Sequence, residues 1–553
     1  CTKMFAAMTS ATENYPGFEV RPLHSSGIGG GQMGVFASIN LPCGHVLIPP
    51  TAPLLRYGLS ADGRGDGADR LSHLRSKYTS GRLPGPSDLA LPLNTSAKAL
   101  AESLADSGRM FYALAAFCDA PPAVRTAALS CYAPPSDARG RAGDLFAACS
   151  ALAECGVRSL APPHGVSVAD ARSLMLACTF NAFEGGRLYG PPLCRLNHSC
   201  DANCVYTETY GNDGNPALSV RVSAPAGVPA GTEINISYLG LFHYADAAAR
   251  GTRLYFDKAF ACECPRCADP PGGDSAGAVP CPTCHCRNAR GMLEEEVMFD
   301  DGSGGVKYAV PVPAQGKAEG VFQVGSLRCT ACGMAHNSDS PGGRMALEVY
   351  RKVSGKVLDR LSSPQPADDE DAMDDGDGDG AAGEEFDRDL LEMANLTLGS
   401  RHWTTSLLTL SILDRDLARY HSAMLTGRLP DSEELAGSID DLQGLWKFAD
   451  GLGLTGRCGG GALLYAQTLG ICRVLVAMGD EKSVAYAKEW AGRVAVHVRT
   501  FEAGHWGKIV EGIEKSQGKN AGTGAVATVA TDYDDMEMVD TDERPKKKKK
   551  KKK

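Results

Sequence analysis

Three cysteines, Cys262, Cys264 and Cys267, lie close together in the segment Phe260-Ala-Cys-Glu-Cys-Pro-Arg-Cys267. Thiolates at this spacing are typical zinc ligands, but a structural zinc site is tetrahedral and takes four of them. The fourth ligand must come from elsewhere, and Cys200, at the end of Arg195-Leu-Asn-His-Ser-Cys200, is the natural candidate. We expect zinc to fix the later segment over the Asn-His loop, so that two distant stretches form one pocket.

Two further Cys-x-x-Cys pairs, separated by 44 residues, form a second candidate metal site. Its candidate ligands are Cys281, Cys284, Cys329 and Cys332. Because four thiolates leave no open position on the metal, this pattern indicates a structural, ribbon-like zinc site. His285 and Cys286 are spare ligands that could replace one of the four, and two unrelated reduced cysteine pairs remain the alternative.

Composition places the chain among globular proteins of a reducing compartment. It has 553 residues, 43% of them hydrophobic, and 20 cysteines but no secretory signal. The net charge of −10 includes eight terminal lysines, Lys546 to Lys553, so the rest of the chain carries −18. No basic nucleic-acid-binding face can be inferred from this acidic balance. An acidic surface suits a lysine-rich substrate, although an acidic balance more often serves only to keep a protein in solution. No apolar stretch is long enough to span a membrane. The chain begins at Cys1, and we expect it to be part of a longer product.

In the first half of the chain, two regions of predicted strands flank a region of predicted helices, and these elements must position the cysteines. Residues 17–57 predict short strands with glycine turns, and strand and turn signals return over 194–240. Between them, residues 97–118 and 142–155 show helical spacing of Ala and Leu. A further helix is predicted over 167–183, with Ser167 as its N-cap.

The second half of the chain has a different composition. The acidic, glycine-containing run from Asp368 to Asp389 cannot bury a core, and we interpret it as a disordered linker or mobile loop. Residues 390–515 show leucine stripes at helical spacing throughout, which predicts a bundle or stack of helices. The tail over 516–553 is predicted to be disordered.

Five segments occur in a fixed order along the chain: Gly29 to Ala37, Asn181-Ala-Phe183, Arg195 to Cys200, Gly231 to Tyr238, and Phe260 to Cys267. This ordered set resembles the SET-domain protein-lysine methyltransferases, and most closely their SET and MYND (SMYD-like) subfamily. The segment Leu398-Gly-Ser-Arg-His-Trp-Thr404 is similar to the helical C-terminal region of that subfamily. The MYND zinc finger itself is lacking, because residues 50–100 contain no cysteine.

The resemblance implies an α+β fold. It consists of a β-rich SET core with a helical insertion, a zinc-bound post-SET segment and a C-terminal all-α helical domain. The expected divisions are 17–57 for the N-terminal part of the SET core, 58–180 for an inserted loop and helical segment, 181–260 for the C-terminal part of the core, 261–335 for the post-SET and zinc-ribbon-like region, 336–389 for a connector with the acidic run, 390–515 for the helical domain, and 516–553 for the tail.

The resemblance also implies the roles of individual residues. Tyr238 matches the catalytic tyrosine and, with Tyr255 and Phe260, is expected to line the channel for the substrate lysine. S-adenosyl-L-methionine is the implied methyl donor, and zinc is the implied metal. The residues expected to bind the cofactor are Met33, Gly34, Val35, Asn181, Asn197 and His198.

Position 258 departs from the pattern of the subfamily. The subfamily commonly has an aromatic residue four positions before the first cysteine of the triplet, where this chain has Lys258. Tyr255 could replace that aromatic residue if the strand shifts; otherwise the channel is less well formed. The departure bears on lysine methylation and leaves the cofactor site untouched.

We therefore expect a monomeric protein-lysine N-methyltransferase of the nucleus or cytoplasm that acts on a lysine-containing protein or peptide. The main alternative is a catalytically weak or inactive SET-like zinc-binding module for protein interaction. A third interpretation, a nucleic-acid-associated zinc protein, depends on the polylysine tail, which could equally be a nuclear import signal. Elsewhere in the chain we expect neither nucleic-acid nor membrane binding.

Overall fold

The computed structural model divides into two compact units, which we describe separately. The first comprises residues 1–211, 215–277 and 281–344, and the second comprises 212–214, 278–280 and 345–553. The structure describes residues 13–23, 33–57, 93–106, 108–134, 136–160, 165–183, 186–210, 216–268, 275–281, 283–284, 308–313, 324–329, 331–337, 341–362, 379–430, 432–452, 454, 464–501 and 505–516.

The strands are short and, in the first unit, form small sheets. In chain order they are β1 (Glu13–Tyr15), β2 (Phe18–Pro22), β3 (Met33–Ala37), β4 (Val46–Thr51), β5 (Leu55–Arg56), β6 (Ala182–Phe183), β7 (Arg187–Leu188), β8 (Asn197–His198), β9 (Cys204–Tyr210), β10 (Pro216–Val222), β11 (Glu233–Ile236), β12 (Val279–Pro280), β13 (Tyr308–Pro313), β14 (Val324–Cys329) and β15 (Ala335–Asn337). The sheets of the first unit have the orders β1-β2-β3-β11-β8, β4-β10-β9, β5-β7-β6 and β13-β14-β15.

The two larger hydrophobic cores in the described part of the first unit lie in different places. One lies among the strands and includes Val20, Val35, Ile234 and Ile236, all nearly inaccessible to solvent. The other lies within the helical insertion between β5 and β6. The helices of this unit are α1 (Thr95–Asp106), α2 (Arg109–Asp119), α3 (Pro122–Leu129), α4 (Gly140–Leu160), α5 (Val168–Asn181), α6 (Ala247–Lys258) and α7 (Pro265–Ala268).

Local sequence explains where the helices of the insertion begin. Ser167 caps α5 as predicted: its hydroxyl accepts from the backbone N–H of Asp170, whose carboxylate accepts in return. The helical pattern over 97–118 is not continuous. It breaks into α1 and α2 around Gly108, which has the left-handed φ of 65° that glycine adopts readily.

The second unit is helical, as the leucine stripes predicted. Its helices are α8 (Pro341–Ser362), most of which belongs to this unit, α9 (Asp379–Thr397), α10 (Trp403–Leu425), α11 (Ser432–Gly451), α12 (Tyr465–Met478), α13 (Glu481–Phe501) and α14 (His505–Lys515). Within the described residues, no helix is long and apolar enough to cross a membrane. The mixed α+β class and the helical C-terminal region are thus confirmed.

The interpretation of the acidic run as a linker or loop is wrong for its last part. Residues 379–389 belong to α9, and the remainder of the run lies outside the described residues. Asp387 is buried and accepts hydrogen bonds from Arg360 of α8 at 2.5 and 3.0 Å, while Arg415 of α10 lies 2.5 Å away. Composition alone misses this pairing, because both arginines are distant in sequence. Helix α8 lies within the 336–389 segment that was predicted to be a connector.

Candidate metal centres and adjoining pocket residues

The first cysteine cluster unites Cys200 with the triplet. The Sγ atoms of Cys200, Cys262, Cys264 and Cys267 all lie within 4.8 Å of one another. The Sγ atom of Cys200 is 4.0 Å from that of Cys262 and 3.4 Å from that of Cys267. Sulfurs bound to one zinc at about 2.3 Å in a tetrahedron are about 3.8 Å apart. The four side chains therefore fit zinc in number, chemistry and separation. The cluster could hold a structural zinc ion with no open coordination position.

Two arginines surround this cluster with positive charge. Arg250 of α6 is fully buried, and its Nη2 donates to Cys267 Sγ at 3.5 Å and to the carbonyl of Arg266 at 3.1 Å. Nη1 of Arg250 donates to the carbonyl of Ala245. Nη1 of Arg266 donates to the carbonyl of Cys200 at 3.4 Å. Since four thiolates and one Zn²⁺ carry a net charge of about −2, these guanidinium groups offset charge that would otherwise be buried unpaired.

Asn197 and His198 form β8, which joins the edge of the five-stranded sheet. β8 runs parallel to β11, with Asn197 opposite Asn235 and His198 opposite Ile236. β11 in turn pairs with β3, the strand that contains Met33, Gly34 and Val35. The structure therefore places these five sequence-predicted cofactor residues on β3 and β8, the two strands that flank β11.

The side chain of Asn197 is oriented by two acceptors. Its Nδ2 donates to the carbonyl of Met33 at 3.2 Å and to Oε1 of Glu233 at 2.7 Å. Its Oδ1 accepts no hydrogen bond from any residue that the structure describes, which leaves an acceptor for a ligand's N–H or O–H group. A Cβ at Gly34 would lie 3.0 Å from Glu233 Oε1. Glycine at this position thus lets β3 approach Glu233, a residue that the sequence patterns did not single out.

The ring of His198 contacts both Tyr238 and the cysteine cluster. Its Nδ1 accepts from the backbone N–H of Tyr238 at 3.0 Å, and its Nε2 lies 3.2 Å from Cys200 Sγ. A backbone N–H can only donate, so Nδ1 carries no proton. A neutral imidazole then has its proton on Nε2, directed at the sulfur of Cys200.

Tyr238 follows β11 and is held at both ends. Its hydroxyl donates to the carbonyl of Leu196, and its ring packs edge-on against Phe260 with 6.5 Å between the centroids. Burial raises the pKa of Tyr238 above its ordinary value, so the phenol is neutral at physiological pH. Tyr238 therefore presents a fixed, uncharged oxygen beside a backbone carbonyl.

Lys258 occupies the wall that Tyr255 was expected to form. The Nζ atom of Lys258 donates to the carbonyls of Thr179 and Phe180 at 3.1 and 3.2 Å and lies 5.8 Å from the centroid of the Tyr238 ring. Burial lowers the pKa of Lys258 to about 8. The ring of Tyr255 packs edge-on against Phe256, and its assignment to the channel stays a prediction.

The local structure explains this exchange of positions. The stretch before the cysteine triplet is helix α6 rather than a strand, because Asp246 caps it by accepting from the backbone N–H of Ala249 at 2.7 Å. Lys258, in the last turn, reaches the C-terminal carbonyls of α5, where a cation is favourable.

The hydrogen bonds of Asn181 differ from those of the other predicted cofactor residues. Its Nδ2 donates to the carbonyls of Tyr132 and Ala177 at 2.8 and 3.0 Å, both within the helical insertion. In the described residues this side-chain nitrogen thus stabilises the end of α5, and no hydrogen bond joins it to β8.

The second cysteine cluster has the geometry of two zinc knuckles. The Sγ atoms of Cys281, Cys284, Cys329 and Cys332 lie within 4.8 Å of one another. Sγ of Cys281 is 3.8 Å from that of Cys332, and Sγ of Cys284 is 3.9 Å from that of Cys329. These separations match a tetrahedral zinc site with about 2.3 Å bonds.

Backbone N–H groups support the sulfurs of this second cluster. Those of Ala331 and Cys332 each lie 3.4 Å from Cys329 Sγ. Although burial acts in the opposite direction, these donors lower the pKa of the Cys329 thiol to about 7. Gly333, with a left-handed φ of 70°, completes the turn.

His336 was missed by the sequence analysis, and His285 and Cys286 lie outside the described residues. The Nε2 atom of His336 is 3.6 Å from Cys281 Sγ. His336 lies on β15, which pairs with β14, and its separation from Cys281 in the sequence hid this contact.

No protein-family model matches the sequence, and a search of curated proteins gives no match either.

Proposed function

We propose that the chain is a SET-type methyltransferase that transfers a methyl group from S-adenosylmethionine to lysine side chains of proteins. The observation that carries the proposal is the first cysteine cluster, which joins Cys200 to the segment from Cys262 to Cys267. The cluster adjoins His198, whose ring in turn contacts Tyr238. These are the residues to which the motif resemblance assigns cofactor binding and catalysis. The small sheets and the helical insertion between β5 and β6 also agree with a SET core.

The residues on β3 and β8 suit the polar end of the proposed cofactor. The Oδ1 atom of Asn197 can accept from the ammonium of an amino-acid group, because its amide nitrogen is already committed to Met33 and Glu233. Glu233 adds a carboxylate nearby, which favours a cation. When bound, S-adenosylmethionine supplies an activated methyl group on a sulfonium.

Tyr238 is the proposed catalytic residue. Its neutral hydroxyl and the carbonyl of Leu196 place two oxygen dipoles together, and such preorganised dipoles stabilise positive charge at a reacting centre. The acceptor amine must lose its proton before it can act as a nucleophile. The partly buried wall formed by Phe260 and Lys258 favours this loss, because desolvation and a neighbouring cation both lower the pKa of an amine.

The proposal is tested with a labelled methyl donor and cell extract. We expect the full-length chain to label protein lysines and Tyr238→Phe to lose about 10²-fold in turnover, because the variant removes one oriented hydroxyl and keeps the ring. Cofactor binding, measured by calorimetry, should remain. Tyr420→Phe is the matched control, since it removes another buried tyrosine hydroxyl, hydrogen-bonded to Ser438 at 3.0 Å in the second unit. Wild-type turnover by the Tyr238 variant would contradict the assigned role.

The second candidate is a SET-like protein-interaction module without methyl transfer. Lys258 favours it, because an ammonium beside Tyr238 occupies a wall where the resemblance expects an aromatic ring. Calorimetric binding of S-adenosylmethionine with no labelling of any extract protein would support this candidate over the enzyme. Absence of cofactor binding would exclude the methyltransferase.

A further inference from the structure

We propose that His198 is a positioning residue that couples the first metal site to Tyr238. Its Nε2 atom restrains the sulfur of Cys200, and its Nδ1 atom restrains the backbone of Tyr238. This coupling concerns the chain's own residues and does not depend on methyl transfer. It gives the metal a role beyond holding the fold together.

The ring can serve both partners only in one protonation form. The Tyr238 N–H, at 3.0 Å, requires an unprotonated Nδ1, and this leaves the Nε2 proton for Cys200 Sγ at 3.2 Å. A ring with its proton on Nδ1 would place two donors against each other and would lose the hydrogen bond from the Tyr238 N–H. The geometry therefore predicts the Nε2–H tautomer of His198.

The state of Cys200 decides how firmly the ring is held. Bound to zinc, Cys200 would be a thiolate and would accept a charge-assisted hydrogen bond from Nε2–H. If the ion were lost, Cys200 would regain a thiol proton and its sulfur would no longer be fixed by the metal. The sulfur is then a weak acceptor, and the ring loses one of its two restraints.

Tyr238 is sensitive to this ring because it lies just beyond the end of β11. The paired part of β11 ends at Ile236, whose carbonyl accepts from the backbone N–H of Ser199 at 3.1 Å. The hydrogen bond to His198 therefore restrains the backbone of Tyr238 past the end of the strand. A second path from the cluster to Tyr238 runs through the ring of Phe260, at 6.5 Å, so a test must separate the two.

The test measures hydrogen exchange of the Tyr238 amide in full-length protein labelled with ¹⁵N-tyrosine, where Tyr238→Phe identifies the signal. Cys264→Ala weakens the first metal site without removing Cys200, and Cys284→Ala is the matched control in the second site. We expect Cys264→Ala to accelerate exchange of the Tyr238 amide about tenfold, the effect of losing about one hydrogen bond. Cys284→Ala should leave this exchange unchanged.

Two substitutions of His198 separate the role of Nδ1 from that of Nε2. The oxygen of Asn lies near the position of Nδ1, and the amide nitrogen of Gln lies near that of Nε2. His198→Asn should keep the Tyr238 amide protected but release zinc to a chelator faster. His198→Gln should do the reverse, with rapid amide exchange and slow zinc release. If the path through Phe260 dominated, neither variant would alter Tyr238 exchange, and Phe260→Leu would alter it.

The tautomer of His198 is read in the wild-type protein, and a variant serves only to assign its signal. In ¹⁵N-histidine-labelled wild-type protein, the signal that His198→Asn removes should show the Nε2–H pattern. An Nδ1–H pattern overturns the proposal, as does Tyr238 exchange that responds equally to Cys264→Ala and Cys284→Ala. Neither result bears on methyl transfer, which the labelling assay decides by itself.

Discussion

Replacing Lys258 with methionine should remove a pH dependence from the stability of the first unit. The Nζ atom of Lys258 is partly buried against the Tyr238 ring and the end of α5. Burial lowers its pKa from 10.5 to about 8, while Asp257 opposes and Arg253 adds to this effect. In the unfolded chain the amine regains its ordinary value. The folded and unfolded states therefore bind different numbers of protons between about pH 8 and 10.5.

The sign follows from proton linkage. Between these two pH values the folded chain has released the Lys258 proton and the unfolded chain keeps it, so the free energy of unfolding rises with pH. Each pKa unit corresponds to about 1.4 kcal/mol, which sets an upper limit of about 3 kcal/mol. Solvent reaches part of the side chain, and the two carbonyls favour the ammonium, so we expect roughly 1–2 kcal/mol.

The assay is urea unfolding of wild type and Lys258→Met at pH 7 and pH 10, followed by a probe in the first unit. Comparing the two proteins cancels the titration of every other group. The stability of wild type relative to the variant should increase by roughly 1–2 kcal/mol from pH 7 to pH 10. Lys98→Met, at an exposed position on α1, should show no such change. A difference between wild type and Lys258→Met that stays constant with pH would refute the desolvation of this amine.

Three further substitutions test the metal sites and the helical unit. Cys200→Ala should reduce bound zinc from two ions to one, measured by metal analysis, whereas Cys204→Ala, buried nearby but outside the cluster, should keep both. Gly333→Val should accelerate zinc loss from the second site, because a β-branched residue is strained at a φ of 70°; unchanged release kinetics would contradict this. Asp387→Asn should destabilise the second unit by about 2–3 kcal/mol in thermal unfolding, since two arginines lose their buried carboxylate.

Features set by neighbouring residues were predictable from the sequence. The Cys-x-Cys-x-x-Cys and Cys-x-x-Cys spacings identified both thiol clusters, and Ser167 marked the start of α5. Cys200 could be predicted as a ligand because a tetrahedral zinc site needs a fourth ligand and the Asn-His-Ser-Cys segment contains a cysteine. Each of these inferences uses either local geometry or a fixed coordination number.

Features set by tertiary packing were not predictable in this way. Glu233 and Arg250 contact the candidate sites through residues that are distant in sequence. His336 contacts the distant Cys281, although it follows Cys332 by only four residues, a spacing that could have indicated it. Asp387 was interpreted as part of a solvated acidic run because its partner arginines could not be identified from composition. Charged residues gave the least reliable predictions, because a charge is stable either in water or beside a distant partner.

The turn at Ala259 separates helix α6 from the segment that contains the cysteine triplet. Among the described residues, Ala259 is the one non-glycine residue with a positive φ, at 54°, and its backbone N–H donates to the carbonyl of Tyr255 at 2.9 Å. A left-handed alanine costs about 1 kcal/mol. The turn separates Lys258, which remains with α6, from Phe260, which precedes the cysteine triplet, yet both reach the Tyr238 ring. Because zinc binding would fix the triplet, it would offset this strain and hold both walls around Tyr238 at once.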